Sequence, residues 1–346
     1  MAAFNRDAPL ALTQGDPSGI GPEIALRAWH ARKGGQKPFF LLGDPGHMQR
    51  AAAQLAAVSG LRIACASATP QTAAAIFDHA LPVVSTGHAI TGEAGRSNPQ
   101  DAAGTIAAID QGVGFIAQGL ASAIVTNPIT KDSLYRAGFR HPGHTEYLGE
   151  LALKYFNTVC EPVMMIWSRE LAVIPVTIHV SLARAINLLT PDLIARTARI
   201  AAQDLRSKFG IANPRLAISG LNPHAGENGA MGEEDQNIIA PAIAQLRKEG
   251  IDARGPLPAD MLFHAAARAH YDVAICMYHD QALIPVKTLA FDTGVNTTLG
   301  LPFIRTSPDH GTAHDIAGKG LARADSLIAA LELASQLACD SMAGLA

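Results

Sequence analysis

The sequence has few of the features that identify secreted, membrane or nucleic-acid-binding proteins. Its four cysteines form no CxxC pair, so neither a disulfide framework nor a thiolate zinc site is predicted. The first residues lack the apolar centre of a signal peptide, and no run reaches the roughly 18 apolar residues that a membrane span requires. Charged residues make up only 16% of the chain, and its net charge is −3. This charge gives no basic surface of the kind that binds the phosphate backbone of nucleic acid. We therefore expect a cytoplasmic protein that binds neither membranes nor nucleic acid.

The glycine motifs of the common nucleotide sites are also absent. The first glycine-rich loop, Gly15–Glu23, fits neither GxGxxG nor GxxxxGK[ST]. A standard Rossmann dinucleotide site is therefore not predicted, and a nicotinamide cofactor would need a different fold.

What is present is the composition of a globular α/β protein, since 48% of the 346 residues are hydrophobic. Short apolar segments are followed by Gly/Pro-rich loops and then by helical patterns, which predicts a largely parallel sheet. The predicted strands are Pro9–Thr13, Phe39–Leu42, Ala121–Val125, Arg215–Ser219 and Asp272–Met277. The predicted helices include one that starts at Thr190 and ends near Gly210, and another over Asp325–Ala338.

Three histidines follow or end predicted strands: His179, His224 and His279. Ligands of open α/β sheets bind at the carboxyl ends of the strands, so these imidazoles are candidate ligands of one borderline divalent ion. Their spacing matches no local metal motif, and each histidine alone is more typical of a polar loop or core residue than of a metal ligand.

Two further polar segments are candidates for anion binding. His144 and Thr145 follow Gly143 and can donate to an anion, although Thr145 is also a suitable helix cap. Lys287, Asn296 and Arg305 lie in a mostly apolar stretch, where a phosphate, a carboxylate or a structural ion pair would satisfy the two cations.

Six separated motifs lie in order along essentially the whole chain: Gly15–Glu23 (GDPSGIGPE), Gly143–Glu146 (GHTE), Leu221–Glu227 (LNPHAGE), Pro256–Asp260 (PLPAD), Met277–Gln281 (MYHDQ) and Gly294–Ser307 (GVNTTLGLPFIRTS). Together they resemble the 4-hydroxythreonine-4-phosphate dehydrogenase family.

The resemblance implies a two-lobed, three-layer α/β/α fold like that of the isocitrate and isopropylmalate dehydrogenases. One lobe would comprise residues 1–130 and 295–346 and carry the cofactor loop. The other, 131–294, would carry the metal and substrate residues and the interface of a homodimer whose subunits share the active site.

Residue roles also follow from the resemblance. His179, His224 and His279 would bind the metal, which could be zinc, cobalt, nickel, manganese or magnesium; imidazole ligands favour the first four. The phosphorylated substrate would contact His144, Thr145, Lys287, Asn296 and Arg305. The run Asp309–Gly318 is similar to a cofactor loop that binds NAD or NADP without a Rossmann motif, and its candidate residues are His310, Gly311, Thr312 and Asp315.

The implied reaction is the NAD(P)-linked oxidation of 4-phosphohydroxy-L-threonine to 2-amino-3-oxo-4-phosphooxybutanoate. This product loses carbon dioxide to give 3-amino-2-oxopropyl phosphate, a precursor in pyridoxal 5'-phosphate (vitamin B6) biosynthesis. Candidate proton acceptors are Lys287, Asp260 and Asp280, of which Asp280 could instead orient a metal ligand. Three alternatives remain open at this stage: a 4-phospho-D-threonate or 4-phospho-D-erythronate dehydrogenase, a metal-dependent hydrolase of a phosphorylated substrate, and a non-catalytic binding module.

Overall fold

A computed structural model of the chain describes residues 5–130, 135 and 144–340. The chain divides into two compact units. Unit 1 takes in the residues up to Glu161 together with Leu301–Cys339, and unit 2 takes in Pro162–Gly300. The sequence prediction placed these divisions after residues 130 and 294.

Strands and helices alternate along most of the described chain. The strands are β1 (Leu10–Thr13), β2 (Phe39–Gly43), β3 (Cys65–Ala68), β4 (Leu81–Ser85), β5 (Ala123–Val125), β6 (Val163–Trp167), β7 (Ala172–Thr177), β8 (Arg215–Ser219), β9 (Asp252–Leu257), β10 (Val273–Tyr278), β11 (Val295–Leu299) and β12 (Arg305–Pro308). The α-helices are Gly21–His30, Pro45–Ser59, Ala73–Ile76, Ala102–Ala117, His144–Phe156, Leu182–Leu188, Pro191–Ser207, Ala240–Lys248, Ala265–Arg268, His279–Ala290 and Asp325–Asp340. All five predicted strands and both predicted helices are confirmed to within a few residues.

Unit 1 has a parallel sheet with the strand order β3-β4-β2-β1-β5-β12. Every residue of β1 and β2 is buried, as expected for parallel strands covered on both faces. On one face, Phe40, Leu42 and Ile124 form a core with the helices Ala102–Ala117 and His144–Phe156. The packing of the latter helix explains why unit 1 continues past residue 130.

Unit 2 has a mixed sheet with the order β11-β6-β7-β10-β8-β9. Its β11, β6 and β7 pair antiparallel, whereas β7, β10, β8 and β9 pair parallel. Since β11 pairs along its whole length with β6, the second division of the chain falls after Gly300 and not before Val295.

The two faces of the unit 2 sheet carry separate cores, as the period of two in a strand requires. Ile174, Ile218 and Ile275 pack on the helices Pro191–Ser207 and Ala240–Lys248. The alternate residues, among them Val173, Ala217 and Ala274, pack on the helix His279–Ala290. Unit 2 is therefore a three-layer α/β/α structure whose parallel strands end at one edge.

Helix starts follow the predicted capping chemistry. The Thr190 hydroxyl accepts a hydrogen bond from the Leu193 amide at 3.1 Å, and Pro191 and Asp192 occupy the first turn. In the described ranges, no helix has both the length and the apolar character needed to span a bilayer.

Candidate functional site

Two of the predicted imidazoles lie side by side in unit 2. His179 follows β7 and His279 follows β10, and these neighbouring parallel strands pair Thr177 with Tyr278 at their ends. The ring centroids of the two histidines are 5.7 Å apart, with the rings tilted by 42°. They line a cavity of about 310 Å³ together with Thr177, Val180, Leu182, Ala185, Tyr278 and Asp280.

One ring nitrogen of His279 is already engaged. Its Nδ1 lies 2.7 Å from an Asp280 carboxylate oxygen, which favours the tautomer with the proton on Nδ1. The lone pair of Nε2 is then left for a ligand, and a carboxylate that holds the second nitrogen is typical of metal-binding histidines.

His224 lies after β8, the strand on the other side of β10. It begins a run of five residues in the left-handed region, His224–Asn228, with φ between 41° and 79°. Four of these residues are not glycine. Left-handed backbone costs a non-glycine residue about 1–2 kcal/mol, so the turn needs external support.

That support comes from Asp235, whose side chain is fully buried. Its carboxylate accepts hydrogen bonds from the amides of Leu221 and Asn222 at 2.9 and 3.1 Å and from the Asn222 side chain at 3.0 Å. Gly220 is required at the start of the turn, since a Cβ there would lie 2.7 Å from Asp235 Oδ1 and 2.8 Å from the Ala225 Cα.

The structure therefore brings His179 and His279 together and leaves His224 exposed on its own loop. No group of three or more His, Cys, Asp or Glu side chains in the described ranges has the spacing of a metal site. The donor chemistry still fits a borderline divalent cation, because two imidazoles on adjacent strand ends share a cavity and one is oriented by a carboxylate.

The candidate acid–base residues of unit 2 have different surroundings. Asp280 is exposed, and Lys287, which is half-buried, lies seven residues later on the same side of the helix His279–Ala290. Asp260 is exposed in the short 3-10 helix Ala259–Met261. Asn296 is half-buried in β11, opposite Ile166.

The other predicted substrate residues belong to unit 1. Arg305 is 4% exposed in β12, and its Nε and Nη2 donate to the Thr126 hydroxyl at 3.1 and 2.7 Å. Burial lowers the pKa of Arg305 to about 10, so the guanidinium stays charged at neutral pH. His144 and Thr145 begin the helix His144–Phe156, and their side chains lie outside the described part of the chain.

The predicted cofactor loop of unit 1 packs on the first glycine-rich loop. The Ile20 amide donates to the Thr312 carbonyl at 2.9 Å, and His314 Nε2 lies 3.3 Å from an Asp16 carboxylate oxygen. The buried Glu23 accepts from the amides of Gly320 and Ala322 at 3.2 and 3.0 Å. His310, Gly311 and Asp315 remain exposed, and Thr312 is half-buried.

Beside these loops lies a cavity of about 350 Å³ that the sequence did not predict. Its walls include Gly19, His47, Arg50, Gln54, Gly92 and Gly318. Sequence reasoning missed His47 and Arg50 because the helix Pro45–Ser59 carries no motif of its own. It also missed Asp235, which only a fold brings to the His224 turn.

The fold is that of an α/β protein of two units, in which the candidate metal ligands of unit 2 follow the carboxyl ends of parallel strands, the usual location of enzyme sites in this class. Residues 35–334 match the family model described as pyridoxal phosphate biosynthetic protein PdxA. The chain belongs to the PdxA family.

Named relatives agree with this assignment. The chain is 59% identical over 335 residues to the 4-hydroxythreonine-4-phosphate dehydrogenase of Bradyrhizobium diazoefficiens, a match that covers 95% of this chain and 97% of that protein. The enzyme of the same name from Methylorubrum extorquens is 58% identical over 335 residues, which covers 96% of this chain and 95% of that protein. The crystal structure of 4-hydroxythreonine-4-phosphate dehydrogenase from Klebsiella pneumoniae matches with a TM-score of 0.83 and 34% identity, covering 96% of this chain and 99% of that one. The predicted family and the α/β fold class are confirmed.

Proposed function

We propose that this protein catalyses the metal-dependent, NAD(P)-linked oxidation of 4-phosphohydroxy-L-threonine to 2-amino-3-oxo-4-phosphooxybutanoate, which decarboxylates to 3-amino-2-oxopropyl phosphate in vitamin B6 biosynthesis. The observation that carries the proposal is the His179–His279 pair beside a carboxylate, in a chain whose relatives bear the dehydrogenase name. A hydrolase or a non-catalytic module has no comparable support.

The candidate residues would bind the metal ion, the substrate phosphate and the cofactor, and would accept a proton. A divalent cation held by His179, His279 and His224 would lower the pKa of the substrate hydroxyl. Arg305, which remains protonated at neutral pH, would bind the phosphate together with Lys287, Asn296, His144 and Thr145. A phosphate bound in this way fixes the reacting carbon, which is how remote contacts accelerate a chemical step.

The contact between His279 Nδ1 and the Asp280 carboxylate supports a role of Asp280 in orienting that imidazole. The hydroxyl proton would then pass to Lys287 or Asp260. His310, Gly311, Thr312 and Asp315 would bind NAD or NADP, on a loop followed by the segment that Glu23 anchors at Gly320 and Ala322.

A homodimer is part of the proposal, with the cytoplasm as its location. Large apolar side chains are exposed on the two helices that border the imidazole cavity and just beyond them: Leu182 (56%), Ile186 (38%), Leu188 (41%), Ile284 (65%), Leu289 (40%) and Phe291 (75%). Surfaces of this kind are typical of subunit contacts, and a second copy would cover the site.

The test is formation of reduced nicotinamide by the purified, metal-reconstituted protein, followed by near-ultraviolet absorbance. We expect turnover with 4-phosphohydroxythreonine and either NAD or NADP. A chelator, His279→Ala and His224→Ala should each abolish it, while His270→Ala, a matched change at an exposed histidine of unit 2, should not. Turnover with 4-phospho-D-threonate alone would move the assignment to the sister activity, and none with either substrate would overturn it.

A further inference from the structure

The parallel ladder between β8 and β10 stops before the two strands reach their histidines. Leu216 pairs with Val273, Ala217 with Ala274 and Ile218 with Ile275. Beyond Ile275 the strands separate, and the backbone groups that would have formed the next rungs need other partners.

The side chain of Gln281 supplies those partners. It is 8% exposed, its Oε1 accepts from the Met277 amide at 2.7 Å, and its Nε2 donates to the Gly220 carbonyl at 2.8 Å. The Ser219 hydroxyl also donates to Oε1 at 2.8 Å. A primary amide has the same donor and acceptor as a peptide group, so Gln281 continues the ladder as a side-chain rung while it holds the strands further apart.

The rung joins the backbones that carry two of the predicted ligands. Met277 lies two residues before His279, and Gly220 lies four residues before His224 on the chain that leads into the left-handed turn. The Thr177 hydroxyl donates to the Met277 carbonyl at 2.8 Å, which ties the end of β7, two residues before His179, to the same peptide segment.

We propose that Gln281 is a positioning residue that sets the separation of His224 from the His179–His279 pair by bridging β8 and β10 where their ladder ends. This inference rests on the metal site of the proposed function. The inference can be wrong while the metal site is right, because a metal could bind these histidines whether or not Gln281 governs their spacing.

The test is cobalt(II) titration of the metal-free full-length protein, followed through the visible absorption of the bound ion. Gln281→Met keeps the length of the side chain and removes all three hydrogen bonds. We expect the Kd for cobalt to rise about 10- to 100-fold, the effect typical of residues that orient metal ligands, with a changed band shape. Gln245→Met makes the same chemical change at an exposed position of unit 2 and should leave both unchanged.

Gln281→Glu keeps the acceptor for the Met277 amide and loses the donor to Gly220, and it serves as the second variant should Gln281→Met fail to fold. A Kd within twofold of the wild type for the folded variant, with the same cobalt spectrum, would overturn the inference even if the melting temperature fell. If the wild-type protein bound no cobalt, the metal site itself would be wrong.

Discussion

The two units end their parallel strands in different ways, and each ending contacts or contains a residue predicted to bind a ligand. After β1, unit 1 turns through glycines: Gly15 has a φ of 73°, and a Cβ on Gly19 would lie 2.9 Å from the Thr312 carbonyl. After β8, unit 2 turns through His224–Asn228, a left-handed run in which Gly226 is the one glycine. Unit 1 thus obtains a close loop–loop contact from glycine, whereas unit 2 holds non-glycine residues in a strained conformation.

This difference shows where each unit depends on side chains. Four left-handed non-glycine residues cost several kcal/mol, at about 1–2 kcal/mol each, and the buried Asp235 offsets that cost through three hydrogen bonds. In unit 1 the corresponding anchor is Glu23. Its carboxylate accepts from Gly320 and Ala322, just after the predicted cofactor loop, and not from the loop that follows β1. Strain therefore concentrates beside a predicted metal ligand, as functional sites often show.

The largest expected effect is that of Gly220→Ala, which would disrupt the turn after β8 in unit 2 and leave the loops of unit 1 unchanged. The new Cβ would overlap Asp235 Oδ1 and the Ala225 backbone, so the turn could not keep its path. We expect cobalt affinity to fall at least about 100-fold, beyond the usual effect of one lost outer contact. The Kd for NADH or NADPH, measured by fluorescence, should stay within about twofold.

Gly34→Ala is the control for this change, because a Cβ there meets nothing within 4 Å. Unchanged cobalt affinity in Gly220→Ala would show that the turn does not position a ligand. A parallel loss of cofactor binding would show that the two endings are not independent.

The second prediction concerns a substitution that disrupts the loop contacts of unit 1 instead. Glu23→Gln replaces a carboxylate that accepts from Gly320, Ala322 and the Arg27 guanidinium with a neutral amide that has one acceptor oxygen. One of the two backbone amides then loses its partner, and the ion pair with Arg27 is removed. At about 1–3 kcal/mol for such a loss, we expect the Kd for NADH or NADPH to rise about tenfold, with cobalt affinity unchanged. Glu332→Gln, at an exposed position of the C-terminal helix, is the matched control, and an equal effect there would contradict the anchor role.

The same contrast separates what the sequence could predict from what it could not. Strand positions follow from local apolar runs, and the meeting of His179 and His279 follows from the rule that neighbouring parallel strands end at one edge. The domain boundaries required tertiary information, because β11 joins unit 2 through its pairing with β6 and the packing of Leu299 in the unit 2 core.

The supporting residues were not predictable for a related reason. Gln281 bonds to Gly220, 61 positions away, and Glu23 bonds to Gly320, 297 positions away. No local pattern marks such partners, since each side chain would serve equally well on a solvated helix. The left-handed path of His224 was likewise hidden, because His, Ala, Glu and Asn carry no signal for it comparable to that of glycine.

The smallest expected effect concerns the acid sensitivity of unit 1. Burial lowers the pKa of His47 below its ordinary value of 6.5, and the positive charge of Arg50 adds to the shift. The imidazole therefore stays neutral in the folded protein at a pH where the unfolded chain already binds a proton. The stability that His47 contributes is complete above pH 6.5 and is lost as the pH falls from there toward the folded pKa.

His47→Gln should flatten this dependence, since glutamine does not titrate. The measurement is urea unfolding at several pH values on either side of 6.5, with the exposed His79→Gln as control. We expect the wild type and the control to lose stability in acid and His47→Gln to lose less. Equal acid sensitivity in all three proteins would show that another group titrates and that His47 does not cause the loss of stability in acid.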